Sequence, residues 1–475
     1  MHVKRVLAMV GVCLAQAVLI AAASGNNVDA AYDEFEAGRL NREQMLSTLR
    51  TAGPKGLQVL LQRCSELEKK RDELIKQGSP IDDVSRRLDA LDRDLDHVGA
   101  ARQTRASKLF WYTNLEEAKA AAEASGKPIL HLRLLGNLTD ELSCANSRFF
   151  RMLLYSNPEI ADYLRENFVL SWKSVRPAPR ITIDFGDGRV LERTITGNSI
   201  HYVLLSDGTV IDALPGLYGP QAFRTQLEAA TRLANELRFA PQAVRSELLA
   251  RRQVEALLVA AQRWHADLDA IESPLSRQGV SPYVTQRTAM LNVTPELTVD
   301  DWLGQAGGIR PATIALRQHL SWLDDSMTDD LWRRIADLHS QQAKIDDATR
   351  ERMRNERPTA GQAGRLAMTK RVVEDPMLRL VRNLQGSVAQ DMVRNEYGLR
   401  TQIHAWLVLM SPPERQLEQF NQHVYGELFK MPFEDPWLGL APPDVYTGLT
   451  AAGIVVRQSS AAAATSSSST SQANR

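Results

Sequence analysis

The sequence predicts an α+β protein that is mostly helical, and three observations carry that prediction. Residues 56–102 hold two long apolar stripes at near-heptad spacing. Residues 108–237 alternate strand-like and helix-like runs in the order β-α-β-α-β-β-α. From residue 241 onward, apolar residues return to helical spacing. The 475 residues suffice for two or three domains with a sizeable core. Lys+Arg 57 balances Asp+Glu 57, so global charge points to neither nucleic acid nor an anionic membrane as partner.

The N-terminus reads as an export signal over residues 1–23. His2, Lys4 and Arg5 are its basic start, residues 6–23 are apolar, and Ala21-Ala22-Ala23 offers a cleavage site. The expected location is periplasmic or extracellular. The alternative is an uncleaved anchor, since the apolar run approaches the ~20 residues a membrane span needs. Loss of the signal removes Cys13 and leaves Cys64 and Cys144. In an oxidising compartment these two could pair if their Cα atoms came within ~7 Å, or stay separate.

Residues 24–106 are expected to be helical. Asn41 is placed to cap a helix over residues 42–49, and Gly53-Pro54 closes it. Residues 56–77 and 81–102 then read as an antiparallel helical hairpin joined at Gly78-Ser79-Pro80. Leu57, Leu60, Cys64 and Leu67 mark one apolar stripe, and Val84, Leu88, Leu91 and Leu95 the other. Cys64 lies on the first stripe, either as a small core residue or as a resolving partner for Cys144.

Residues 107–240 form the central domain. Residues 108–112 can make a first strand. Asn114 caps a helix over 115–124, with Glu117 placed for a capping box, and Gly126 stops it. The run Pro128-Ile129-Leu130-His131-Leu132-Arg133-Leu134 is strand-like and leads into Leu142-Ser143-Cys144-Ala145-Asn146-Ser147. A helix follows and is interrupted near Asn157-Pro158. Residues 168–172 are rich in strand formers. Residues 180–196 read as an inserted hairpin around Gly186-Asp187-Gly188. Residues 200–205 and 209–214 flank Ser206-Asp207-Gly208 as a second hairpin, and a helix over 221–237 closes the domain.

This order resembles the thioredoxin-like superfamily, with Gly126-Lys127-Pro128 before the second strand and a hairpin followed by Leu214-Pro215-Gly216-Leu217-Tyr218-Gly219-Pro220. The resemblance implies a thioredoxin-like α/β/α domain and thiol chemistry at Cys144, between a buried strand and a helix start, where helix-end amides favour a thiolate. The chain departs from that family at three places. The C-x-x-C motif is Cys144-Ala145-Asn146-Ser147. No proline stands in Gly197-Asn198-Ser199-Ile200-His201, where the family places a cis-proline. Residues 180–196 are additional. A lone thiolate can attack a disulfide, but it has no neighbouring thiol to release it.

The candidate site is therefore Cys144 as nucleophile, Ser147 as a hydrogen bond to its thiolate and His201 as a weaker candidate base. Asn146 and Ser147 can instead cap the following helix through their side chains. Arg148, Arg151, Arg176, Arg180, Arg189 and Arg193 make the middle of this domain locally basic.

Residues 241–458 are expected to form a helical domain, with helices over 244–268, 311–323, 328–345 and 376–410. A long loop with short helices is expected at 271–311 and an exposed loop at 352–369, and Trp302, Trp322, Trp332, Trp406 and Trp437 are expected as core. Residues 433–446 read as a strap rich in proline and aromatics, and 459–475 as a disordered Ser/Thr/Ala-rich tail. The nine histidines are scattered without metal-ligand spacing, and no phosphate loop, dinucleotide fingerprint or nucleophile elbow is present. No cofactor or metal is expected. The leading functional expectation is an exported protein with a binding or assembly role toward a protein partner and at most monothiol chemistry. The alternative is a thiol-disulfide oxidoreductase or isomerase.

Overall fold

A computed structural model describes residues 28–194, 197–272, 293–355, 376–437 and 448. The export signal, the tail, residues 273–292 of the first expected loop, residues 356–369 of the second and most of the strap lie outside them. The described chain is mostly helical with a small mixed sheet. No described helix is long and apolar enough to cross a membrane.

Two short helices, α1 (Val28–Glu36) and α2 (Arg42–Thr51), precede the hairpin of α3 (Pro54–Lys76) and α4 (Asp82–Gly99). Asn41 and Gln44 cap α2 reciprocally, with bonds of 2.9 and 3.1 Å between each side chain and the other's backbone N–H. Gly56 lets α3 press against α2, because a Cβ there would lie 1.9 Å from the Leu49 carbonyl oxygen. The predicted stripes meet in one core that includes Leu60, Cys64, Leu88 and Leu95. Burying each such leucine contributes about 1.5–3 kcal/mol.

The expected first strand is reduced to a single bridge, Tyr112 to Ser171. Lys108 has φ 55° and ends a one-turn helix, and the Trp111 amide donates to the Gly99 carbonyl at 3.0 Å instead of joining a ladder. Helix α5 (Leu115–Ser125) follows. Asn114 caps it through the Glu116 amide at 2.9 Å, one residue earlier than a capping box with Glu117 requires. Gly126, at φ 70°, provides the left-handed stop.

Strand β1 (Ile129–Leu135) is buried along its whole length and is central. A crossover follows through α6 (Ala145–Phe149), a π-helical turn (Phe150–Tyr155) and α7 (Pro158–Asn167), to β2 (Val169–Arg176), parallel to β1. Among the described residues, strands β3 (Arg180–Asp184) and β4 (Val190–Thr194) pair only with each other. Strands β5 (Ile200–Leu204) and β6 (Val210–Pro215) complete the main sheet, in the order β2-β1-β5-β6, with β5 antiparallel to both neighbours.

Helix α8 (Pro220–Phe239) leads into α9 (Arg245–Glu272), α10 (Val299–Ala306), α11 (Ile309–Asp325), α12 (Asp329–Leu338) and α13 (Asp347–Asn355). Then come α14 (Pro376–Arg394), a π-helical turn (Asn395–Leu399), α15 (Arg400–Leu409) and α16 (Leu417–His423). The expected helix over 328–345 stops at Leu338, where His339 leaves the helical region. Trp302 and Trp332 are buried and Trp322 and Trp406 half-buried, whereas Trp437 is 42% exposed. The chain divides into two compact units, up to Gln419 and from Phe420. In the second, Tyr425 packs against Phe429 and Phe433.

Candidate functional site at Cys144

The Cys144 loop leaves the end of β1 and is pinned from both sides. The Cys144 amide donates to the Leu135 carbonyl at 3.1 Å. Gly136 turns the chain at φ 74°, and a Cβ on it would lie 3.2 Å from Ser143 Cα. From the π-helical turn, Arg151 reaches back to the Leu138 and Asp140 carbonyls at 3.2 and 3.0 Å and to Ser143 Oγ at 3.3 Å. Burial lowers the Arg151 pKa to about 10, with Arg102 adding to the effect.

Cys144 is the residue that precedes α6, as the sequence places it, but its sulfur is fully buried and unbonded to another cysteine. Its Sγ lies 3.0 Å from Ser199 Oγ, itself fully buried just before β5. Ser147 is not that partner. Its hydroxyl donates to Ser143 Oγ at 2.7 Å and lies 2.9 Å from the Cys144 carbonyl, because one helical turn directs it at the loop backbone. Neither Asn146 nor Ser147 caps α6, which has no side-chain cap.

His201 stands two residues after Ser199 and bonds Tyr155 Oη through Nε2 at 2.6 Å. Phe150 and Phe223 enclose its ring, at centroid distances of 4.6 and 5.1 Å. Burial lowers its pKa to about 3, so it is neutral near pH 7 and supplies no positive charge to a thiolate. Tyr155 is pushed well above its usual value by burial, with the Cys144 sulfur adding to it. His131 is buried on β1 with no hydrogen-bond partner among the described residues.

Cys64 is also free, within the helical-hairpin core. Burial pushes its thiol pKa up, and Glu68 adds to the shift. The arginines around the Cys144 end are largely engaged. Arg148 donates to Thr194 Oγ1 at 2.8 Å, Arg189 pairs with Asp187 at 2.7 Å, and Arg151 is buried as described. Among the described residues, no three His, Cys, Asp or Glu side chains gather to hold a metal.

Sequence reasoning missed two features. Ser199 and Tyr155, the partners of Cys144 and His201, come from distant segments and carry no local signal. A buried ion cluster ties β6 to α15. Arg400 meets Asp212 at 2.6 Å and Glu396 at 3.0 Å, and His404 Nδ1 meets Gln253 Oε1 at 2.5 Å. Burial opposes the charge on Arg400, yet its pKa is raised because Asp212 and Glu396 outweigh that burial. The clue to this cluster was Asp212, a lone carboxylate inside an otherwise apolar strand run. No protein-family model, curated protein or solved structure matches this chain.

Proposed function

We propose that the chain is an exported thioredoxin-like protein whose central domain serves binding or assembly rather than disulfide exchange. The observation that carries this reading is the enclosure of the Cys144 sulfur. It has no exposed surface, it touches a serine hydroxyl, and Ser147 stands where the redox motif would hold a second thiol. Attack on a disulfide requires the thiolate to reach its target, and this sulfur is shut away from one.

The thioredoxin-like assignment draws support from the parallel β1–β2 pair with a helical crossover, the antiparallel β5 and β6, and the closing helix α8. A protein-partner role draws support from the β3–β4 hairpin. Ile181, Ile183 and Phe185 alternate onto one face and are 44%, 46% and 56% exposed. A two-stranded hairpin is marginal alone and gains from a partner that covers such a face. Export rests on the character of residues 1–23.

The test is iodoacetamide labelling of the native protein, mapped by peptide. Cys144 should stay unlabelled while a free cysteine peptide reacts fully, and should label in denaturant. Replacing Ile181, Ile183 and Phe185 with serine should leave the melting temperature unchanged and weaken partner association. A second reading, a monothiol oxidoreductase, is favoured by the position of Cys144 at the start of α6. Rapid native labelling, together with turnover of a small aromatic disulfide that Cys144→Ala abolishes, would establish that reading instead.

A further inference from the structure

At the end of the sheet opposite Cys144, a cleft of about 600 Å³ opens between α3, residues 108–112, α5 and the start of β2. That volume lies within the ~300–1,000 Å³ range of small-molecule sites. Leu57, Phe110 and Leu170 are buried in its wall, and Leu61 and Tyr112 are half-buried there.

Its charge is one-sided. Lys108, Lys127 and Arg165 line it, and no carboxylate does. Lys127 Nζ donates to the Arg165 carbonyl at 2.8 Å, and Arg165 Nη1 to the Ser107 carbonyl at 3.0 Å, next to Lys108. The three cationic residues therefore gather in one part of the wall. Arg165 also pairs with Asp162, which is outside the cleft. Lys108 is exposed and has no ion pair among the described residues.

We infer that this cleft binds a single-chain amphiphilic anion, an alkyl chain ending in one carboxylate. Apolar walls remove the chain from water, and the cationic rim meets the head. An extended peptide fits less well. Recognition of a peptide by strand addition needs a free sheet edge, and here Tyr112 already occupies the edge of β2. Its amide donates to the Leu170 carbonyl at 2.8 Å, and its carbonyl accepts from the Trp172 amide at 3.0 Å.

The test uses the full chain with decanoate below its micellar concentration, followed by isothermal titration calorimetry. Decanoate should bind saturably with one site, and acetate should not bind. K108E/K127E should weaken decanoate at least ten-fold while changing the affinity for 1-decanol less than two-fold. Leu61→Asn should weaken both ligands. Thermal melting checks that each variant is folded, and if the double variant is not, Lys108→Glu alone tests the same charge dependence. Absence of saturable decanoate binding, equal affinity in the charge-reversed variant, or an acidic peptide that binds while decanoate does not would each overturn the inference.

Discussion

At the start of β5, Cys144 and Ser199 share a contact of 3.0 Å, whereas beside β6 the ion pair of Asp212 and Arg400 is packed out of water with half-buried Glu396 next to it. Both sites are buried on one four-stranded sheet, and they are held by different physics. A thiol is a weak hydrogen-bonding group, so the bond adds about 0.5–1.5 kcal/mol and the Ser199 hydroxyl can be lost cheaply. A buried guanidinium is tolerated only while its carboxylates stay in place. The two sites also differ in role. The charged cluster locks α15 to the sheet, while the Cys144–Ser199 contact joins the loop before α6 to the start of β5.

The largest effect that would break this contrast comes from Arg400→Met, which strands the buried Asp212 carboxylate. It should cost about 3–5 kcal/mol in urea unfolding, and a loss below about 1 kcal/mol would erase the distinction between the sites.

Acid should act next, through the histidines of the two sites. Burial lowers the His404 pKa to about 4, with Arg400 adding to it, and the His201 pKa to about 3. The unfolded chain, with histidine near 6.5, binds more protons in that window. The stability these neutral histidines confer is thus complete above about pH 6.5 and falls as pH drops toward 4 and then 3. The urea midpoint should be lower at pH 5 than at pH 7, and a flat profile would contradict their neutral burial.

Tyr155→Phe removes the hydroxyl on His201 and should cost about 1–2 kcal/mol by thermal unfolding, an intermediate value for a neutral bond in a fully buried setting. The smallest effect should be that of Ser199→Ala, about 1 kcal/mol or less. If that variant also speeds iodoacetamide labelling of Cys144, the serine guards the sulfur as well as pairing with it.

Much of the architecture was legible in residue order. The Asn41 cap, the stripes of the helical hairpin, the β1 run, the Gly126 stop and the inserted hairpin each have a local cause, and each appears where that cause places it. The first strand is reduced to one bridge, because Lys108 turns the chain at φ 55° and the Trp111 amide is held by Gly99, a residue from another element. At the site, the position of Cys144 before a helix was legible. The bond of Ser147 to the loop rather than to the sulfur, and the pairing of His201 with Tyr155, were not.

By itself, the sequence determined a single sulfur at a strand-to-helix junction, a serine three residues on, and an apolar-patterned scaffold around both. Those are properties of neighbours along the chain, set by periodicity and capping. Only the tertiary structure decided that the sulfur is enclosed, that Ser199 is its partner, that Arg400 crosses to Asp212, and that a cationic cleft opens at the far end of the sheet. Burial and long-range pairing depend on which surfaces meet once the chain has packed, and no local pattern encodes that meeting.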